Sequence, residues 1–233
     1  MKKVICLLAL ATCSLAMAGE SKKIVIKNEK TPNDTIVSGL ASDDVVGAAG
    51  RIWKNKNLGA TRVATSHNDP LAYGSLYQWG RSSDGHELID WTSEKKGVPM
   101  HKSTTVKSQT SDPSHSKFIE RKEWRSEGHN YLWQGVDGIN NPCPAGYRLP
   151  RETEWAEEIA AAGIKDAETA FNSPLKLAAS GFRFLNAGAI NVGSGGFWSS
   201  TVKKDGLPVA VAQTGESTKT YRGLALPVRC IKN

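Results

Sequence analysis

The sequence predicts an α+β fold with one main helix, short antiparallel strands and long loops. The helix is expected over residues 151–162, because Trp155 and Ile159 lie on one helical face and Gly163 supplies a stop signal. Short apolar runs broken by Gly, Asn, Asp and Pro fill much of the remaining chain, which is typical of short strands joined by turns. Seven tryptophans and a hydrophobic content of 39% indicate a packed core.

Local signals place two helix starts. Glu152 and Glu154 fall in the first turn of the main helix, where the helix dipole favours negative charge. Asp69 followed by Pro70 is typical of an N-cap and a first-turn proline, so a shorter helix is expected there, and Gly74 would soon interrupt it.

The N-terminal residues predict export across a bacterial-type membrane. A pair of lysines precedes an apolar run over residues 4–15, and residues 16–18, Ala-Met-Ala, have the pattern that a signal peptidase recognises. The run is too short for a bilayer core, which needs about 20 apolar residues. We therefore expect a signal peptide over residues 1–18, no transmembrane span, and a mature protein that is secreted, periplasmic or on the cell surface. A lipidated Cys13 is the alternative, although threonine is unusual before a lipobox cysteine.

The rest of the chain divides into two predicted segments. Residues 19–49 are expected to form an N-terminal strand and linker, because residues 23–27 alternate in polarity and the stretch that follows is small and polar. Residues 50–233 are expected to form one globular domain. Within it, residues 82–130 are mostly polar, and a loop region of that length in a compact domain usually has a function.

The cysteines predict one disulfide. Cleavage after residue 18 would remove Cys6 and Cys13 and leave Cys143 and Cys230, and two cysteines in an exported chain most often bond to each other. Two separate thiols are the alternative. Cys230 would lie in a final strand over residues 226–232.

The charge argues against nucleic acid as a partner. The formal net charge is +7, but lysine and arginine alternate with aspartate and glutamate, and no basic run is interleaved with aromatic residues.

Six ordered motifs resemble a known family, the Fibrobacter succinogenes major paralogous domain (FISUMP). The resemblance covers about residues 50–232. The motifs are K-N-L-G-A-T-R (56–62), L-Y-Q-W-G-R (76–81), L-W-Q-G (132–135), N-N-P-C-P-A-G-Y-R-L-P (140–150), F-W-S-S-T (197–201) and V-R-C-I-K (228–232).

This resemblance implies a C-type-lectin-like fold, in the branch shared with formylglycine-generating enzymes and with phage and bacterial receptor-binding proteins. Glu154-Trp155 after R-L-P matches the start of that fold's helix, and V-R-C matches its closing strand. Related sequences commonly have threonine where this chain has Arg151, so the capping-box partner of Glu154 is missing.

The same resemblance suggests an enzyme as an alternative. Formylglycine-generating enzymes use a reactive cysteine pair, whereas the two mature cysteines here are expected to form a structural bridge. The histidines have no H-E-x-x-H spacing, and an iron or zinc site would require His86, His115 and His129 to meet in space. The residues therefore favour a non-catalytic protein.

Three tryptophans are candidate ligand anchors. Trp91, Trp124 and Trp133 lie in or beside the polar region, and sugar rings present apolar faces that stack on aromatic side chains. The alternative is that each indole only anchors its loop to the core.

Asp137, Asn140 and Asn141 are the candidate polar partners. Their oxygens could also bind calcium, which C-type-lectin-like folds often use, although an ordinary Asx-rich turn explains the same residues. The E-P-N and W-N-D signatures of C-type lectins are absent, so calcium-dependent sugar binding is not carried over. No other cofactor is predicted.

The sequence thus predicts an exported, non-catalytic recognition or adhesion domain that binds glycan or another surface ligand through the loops of residues 82–140. An enzyme of the formylglycine-generating branch and a structural subunit of a surface assembly are the alternatives.

Overall fold

The computed structural model describes residues 40–186, 190–193 and 196–233. The predicted signal peptide over residues 1–18 and the alternating segment at 23–27 lie outside the described residues. Residues 39–233 form one unit, and the boundary predicted at residue 50 falls inside its first hairpin.

The described residues contain short strands and two α-helices, so the coarse α+β prediction holds. The strands are β1 (Asp44–Val46), β2 (Ile52–Lys54), β3 (Tyr77–Gln78), β4 (Ile89–Ser93), β5 (Lys96–Pro99), β6 (Ser103–Thr104), β7 (Phe118–Ile119), β8 (Tyr147–Arg148), β9 (Phe182–Arg183), β10 (Ile190–Asn191), β11 (Gly196–Val202), β12 (Pro208–Ala212), β13 (Ser217–Lys219), β14 (Ala225–Leu226) and β15 (Ile231–Lys232). The helices are α1 (Glu152–Ala161) and α2 (Ala167–Asn172), and a 3-10 helix spans Pro70–Ala72.

The strands form small sheets. Two have four strands, in the orders β1-β2-β15-β8 and β10-β9-β14-β3; one has three, in the order β11-β12-β13. β4 pairs with β5, and β6 pairs with β7 in parallel, whereas the other pairs are antiparallel. In the first sheet Ile231 pairs with Trp53, so β15 joins the N-terminal hairpin to β8. Within the described ranges, no helix has the length and apolar character needed to cross a membrane.

Helix α1 confirms the predicted helix to within one residue at each end. Arg151 is its N-cap and Ala162 its C-cap. Trp155 is fully buried and packs between Trp53, with ring centroids 4.8 Å apart, and Phe197, with ring centroids 4.9 Å apart. The predicted apolar face is therefore the face that covers the core.

Glu154 keeps half of the capping box. Its Oε2 accepts the backbone N–H of Arg151 at 2.8 Å, while the Arg148 guanidinium donates to both of its carboxylate oxygens at 2.8 Å. The Arg151 side chain holds only donors and cannot accept the N–H of Glu154, so the other half is missing as predicted.

The described end of the segment predicted as a strand and linker, residues 40–49, enters a hairpin that is docked on α1. Glu158 is buried, and its carboxylate accepts the N–H groups of Ala48 at 2.6 Å and Ala49 at 3.1 Å. A Cβ on Gly47 would lie 2.3 Å from Glu158 Oε2. The small residues of this stretch thus allow a carboxylate to approach the backbone closely.

A fully buried segment, Tyr77–Arg81, lies at the centre of the unit. The indole N–H groups of three tryptophans donate to its backbone carbonyls at alternate residues: Trp198 to Tyr77 at 2.6 Å, Trp124 to Trp79 at 2.7 Å and Trp133 to Arg81 at 3.1 Å. Side chains that are distant in sequence therefore supply donors of the kind that a neighbouring strand would supply in a larger sheet.

The side chain of Gln78 also hydrogen-bonds this central segment to distant parts of the chain. Its amide donates to the carbonyls of Ile119 at 2.8 Å and Gly223 at 2.7 Å, and it accepts the N–H of Ile119 at 3.1 Å. The predicted polar region 82–130 is thus held to the centre by specific hydrogen bonds, and it contains the β4–β5 hairpin and the β6–β7 pair.

Cys143 and Cys230 form a disulfide, with their Cα atoms 5.8 Å apart. The predicted final strand over 226–232 divides into β14 and β15, and Cys230 lies in the irregular stretch between them. The bridge links this stretch to the turn that precedes β8 and α1.

Candidate ligand-binding cleft

A cleft of 220 Å³ lies beside Trp91. Its walls come from three separate stretches, residues 59–61, 70–75 and 88–91. Leu71 and Leu88 are exposed on its rim, so the cleft offers apolar surface to solvent.

Trp91 is half-buried and firmly fixed. Its indole N–H donates to the Gly74 carbonyl at 2.7 Å, and its ring meets Tyr73 edge-on, with centroids 5.0 Å apart. Gly97 is its cross-strand partner, and a Cβ there would come within 2.6 Å of the indole carbons. The glycine backbone therefore lies against the ring, and the part of the indole left open is pre-oriented.

Polar groups surround this aromatic surface. The side chains of Thr61 and Asp90 are exposed on the cleft wall, and Ser75 is buried at its base. An apolar surface flanked by a few hydroxyl and carboxylate groups is the usual composition of a small-molecule site.

Asp69 braces the wall that Pro70 and Leu71 form. It is the N-cap of the 3-10 helix, as the sequence predicted, and it accepts hydrogen bonds from Arg62, Thr65 and the Leu71 N–H. Burial opposes its ionisation, but the Arg62 guanidinium and the Thr65 donors lower the pKa of Asp69 to about 2. The carboxylate is therefore charged at neutral pH, and its hydrogen bonds tie this wall to Arg62 and Thr65.

Trp124 and Trp133, the other two candidate anchors, are fully buried. Trp124 packs with Ile119 and Leu132, and Trp133 packs against Trp79 with ring centroids 5.4 Å apart. Neither ring presents a face to solvent, so these two positions fit the packing alternative that the sequence left open.

The candidate polar partners do not line the Trp91 cleft. The Asn140 amide donates to the carbonyls of Gly80 at 2.7 Å and Ser111 at 2.8 Å. Asn141 donates to the Tyr147 carbonyl at 2.9 Å and accepts the N–H of Cys143 at 3.2 Å. Asp137 is exposed. The two asparagines thus hold loops together, as expected of an Asx-rich turn.

One group in the described part of the chain brings three potential metal ligands within 4.8 Å of one another: Asp84, His86 and Glu87. His86 is fully buried, its Nε2 accepts the Gln78 N–H at 3.0 Å, and its Nδ1 lies 2.7 Å from Asp84 Oδ1. Since a backbone N–H can only donate, Nδ1 carries the proton and donates to Asp84. Both ring nitrogens are therefore occupied.

The remaining ligand atoms of this group are also engaged. Asp84 Oδ2 pairs with Arg81 at 2.5 Å, and Glu87 Oε2 accepts the Gly85 N–H at 2.9 Å. Burial, reinforced by the Arg81 cation, lowers the pKa of His86 to about 4, so the imidazole is neutral. The arrangement is a hydrogen-bonded network that shapes the 82–87 turn.

Comparison of the chain with protein-family models, with curated protein sequences and with solved structures returned no match.

Most residues of the cleft have no distinctive pattern in the sequence. Gly59, Ala60 and Thr61 belong to the K-N-L-G-A-T-R motif, which marked the family resemblance but carried no functional interpretation. Nothing in the sequence distinguishes Leu71 and Leu88 from other apolar residues. The fold places both on the rim of the cleft. The signals in the sequence were Trp91 itself, the helix start at Asp69–Pro70 and the K-N-L-G-A-T-R motif.

Proposed function

We propose that this chain is an exported, non-catalytic recognition domain that binds glycan in the Trp91 cleft. The observation that carries the proposal is a partly buried indole held in one orientation beside an open cleft, with polar groups on the surrounding walls. A sugar ring offers apolar C–H faces for stacking and hydroxyl groups for hydrogen bonds, and this surface offers both.

A C-type-lectin-like architecture is part of the proposal. The antiparallel pairing of β15 with the N-terminal hairpin supports it, as does the disulfide between the closing stretch and the loop before α1. The family resemblance, which implies this architecture, also supports it. One of the motifs that carry the resemblance, K-N-L-G-A-T-R, supplies a wall of the cleft. A fold alone does not define a ligand, so the glycan assignment rests on the cleft.

The enzyme alternative receives less support. Cys143 and Cys230 are bonded to each other, so neither offers a free thiol for the chemistry of the formylglycine-generating branch. The buried Asp84–His86–Glu87 group is engaged internally.

The proposal is tested by screening the purified full chain on a panel of polysaccharides and defined glycans. For a bound glycan, Trp91→Ala should weaken affinity by at least about tenfold, the usual scale for a buried aromatic anchor. Tyr131→Ala is the matched control, because Tyr131 is 73% exposed and lies outside the cleft; its affinity should be unchanged. Absence of any glycan binding, or a folded Trp91→Ala variant that binds normally, would overturn the proposal.

A further inference from the structure

A second cavity, of 180 Å³, lies directly beside the Trp91 cleft. Asn55, Lys56, Leu58 and Pro144 form part of its lining, and it borders the disulfide at Cys230. Gly59 and Ala60 line both cavities, so the two spaces share a wall.

The wall that separates the two cavities consists of little more than backbone, because it has almost no side chains. Gly59 adopts φ +81°, where other residues are strained, and a Cβ there would lie 2.3 Å from Ser75 Oγ. Ala60 contributes only a methyl group. A ligand that leaves one cavity therefore meets backbone, not a bulky side chain, on its way into the other.

The volumes favour one ligand that occupies both cavities. Small-molecule sites usually begin at about 300 Å³. Neither cavity reaches that size alone, at 180 Å³ and 220 Å³, whereas the two together exceed it.

The second cavity also borders a residue with an unpaired hydrogen-bond acceptor. Asn55 Oδ1 has no hydrogen-bond partner and almost no accessible surface, which is costly unless the side chain turns to meet a donor. Lys54 pairs with Asp43 at 2.8 Å and with Asp44 at 2.9 Å, whereas Lys56, also in the lining, has no ion-pair partner among the described residues. A hydroxyl group can donate to an amide oxygen and accept from the Lys56 ammonium, whereas an anion can only accept, so the lining suits a neutral hydroxyl-bearing group.

We infer that the two cavities form one groove, and that its ligand is a neutral, linear glycan chain of at least two sugar units lying across Gly59 and Ala60. Trp91 holds one unit, and the Asn55 side chain, turned toward the second cavity, accepts a hydroxyl hydrogen from the next; its present contact with the Ser42 carbonyl is long, at 3.5 Å. The inference rests on the proposed function and extends it, because a groove that is open across the wall recognises internal stretches of a polymer as well as a terminal sugar.

The test is a chain-length series. The full chain is titrated with β-1,4-linked oligosaccharides of glucose, xylose, mannose and N-acetylglucosamine, from the monosaccharide to the hexasaccharide. For a series that binds, affinity should rise roughly tenfold or more from the monosaccharide to the trisaccharide and then level off.

Two variants locate the gain. Asn55→Ala should remove most of the dependence on length and leave the weak monosaccharide binding unchanged. Ala60→Trp, which raises the shared wall, should also remove the dependence on length; because Ala60 lines the Trp91 cleft as well, this variant is expected to bind the monosaccharide more weakly. Asn172→Ala is the matched control, because Asn172 is exposed at the end of α2, and it should behave as the unmodified protein.

The outcomes separate the two proposals. Affinity that does not depend on chain length, or length dependence that survives in both folded variants, would overturn the groove and leave the Trp91 site standing. If none of the four series binds but another glycan binds and depends on Trp91, the assignment of a neutral linear ligand would be overturned and the Trp91 site would stand. Failure of every glycan tested would overturn both.

Discussion

Trp91 and Trp124 come from the same polar region of the chain but occupy opposite environments. Both indole N–H groups donate to a backbone carbonyl at 2.7 Å, so hydrogen bonding does not distinguish them. The acceptor does. Trp124 donates to Trp79 in the buried central segment, whereas Trp91 donates to Gly74 at the edge of the cleft.

The neighbours on the ring faces complete the difference. Trp124 is surrounded by Ile119, Leu132 and the cation of Arg81, whose guanidinium carbon lies 5.8 Å from the ring centre. Trp91 packs on the backbone of Gly97, which leaves part of the indole open. A tryptophan in a polar region of the chain can therefore either anchor that region to the core or present part of its ring to solvent. The position of the carbonyl that accepts the indole N–H distinguishes the two cases.

The largest expected effect tests this contrast through stability. Trp124→Ala should lower the free energy of unfolding by about 3–5 kcal/mol, because it empties a fully buried site and leaves the Trp79 carbonyl unpaired. Trp91→Ala should cost about 1–2 kcal/mol, because less apolar surface is lost there. Urea unfolding of both variants measures the difference. Equal losses would show that the two indoles have the same role.

A change of pH should act on the central network and spare the cleft. Burial, reinforced by the Arg81 cation, lowers the pKa of His86 from 6.5 to about 4. Between those values the unfolded chain binds a proton that the folded chain refuses, so this contribution to stability is lost as pH falls from 6.5 to 4, by on the order of 3 kcal/mol. Urea midpoints across this window measure it.

Two variants assign this pH response. His86→Gln should flatten it, whereas Trp91→Ala should keep the slope of the unmodified protein. Burial raises the pKa of Glu87, which acts in the opposite direction, so the comparison with His86→Gln isolates the imidazole. An unchanged slope in His86→Gln would contradict the assignment.

The smallest effect is expected at the start of α1, away from both tryptophan environments. Arg151→Thr would supply an oxygen for the backbone N–H of Glu154 and complete the capping box. The gain should be about 0.5–1 kcal/mol, because the variant also loses the part-buried ion pair of Arg151 with Glu154, although Arg148 still pairs with the same carboxylate. A urea midpoint that stays the same or falls would show that the ion pair matters more than the cap.

Local patterns in the sequence were enough for the elements that depend on near neighbours. Helix α1 follows from the spacing of Trp155 and Ile159, and the 3-10 helix follows from Asp69 and Pro70. The pairing of Cys143 with Cys230 followed from the number of cysteines that remain after the predicted cleavage of the signal peptide.

Features that depend on distant partners were not predictable in this way. Residues 47–49 looked like linker because they are small, but the Glu158 carboxylate, which comes from a helix far along the chain, binds the backbone of Ala48 and Ala49 and leaves no room for a side chain at Gly47. The burial of Trp124 and Trp133 depends on carbonyls some fifty residues earlier. The Trp91 cleft likewise combines three stretches that only the fold brings together.

The place of β15 between β2 and β8 also determines how the chain can fold. The first sheet stays in two pieces until residues 231–232 arrive, because β15 alone joins the N-terminal hairpin to β8. Closing so long a loop carries a large entropic cost before any pairing is gained, and chains with such distant contacts refold slowly. A nascent chain that lacks residues 231–232 would therefore hold its hairpin and its helix without the strand that unites them, and the domain would assemble only after synthesis had passed that point.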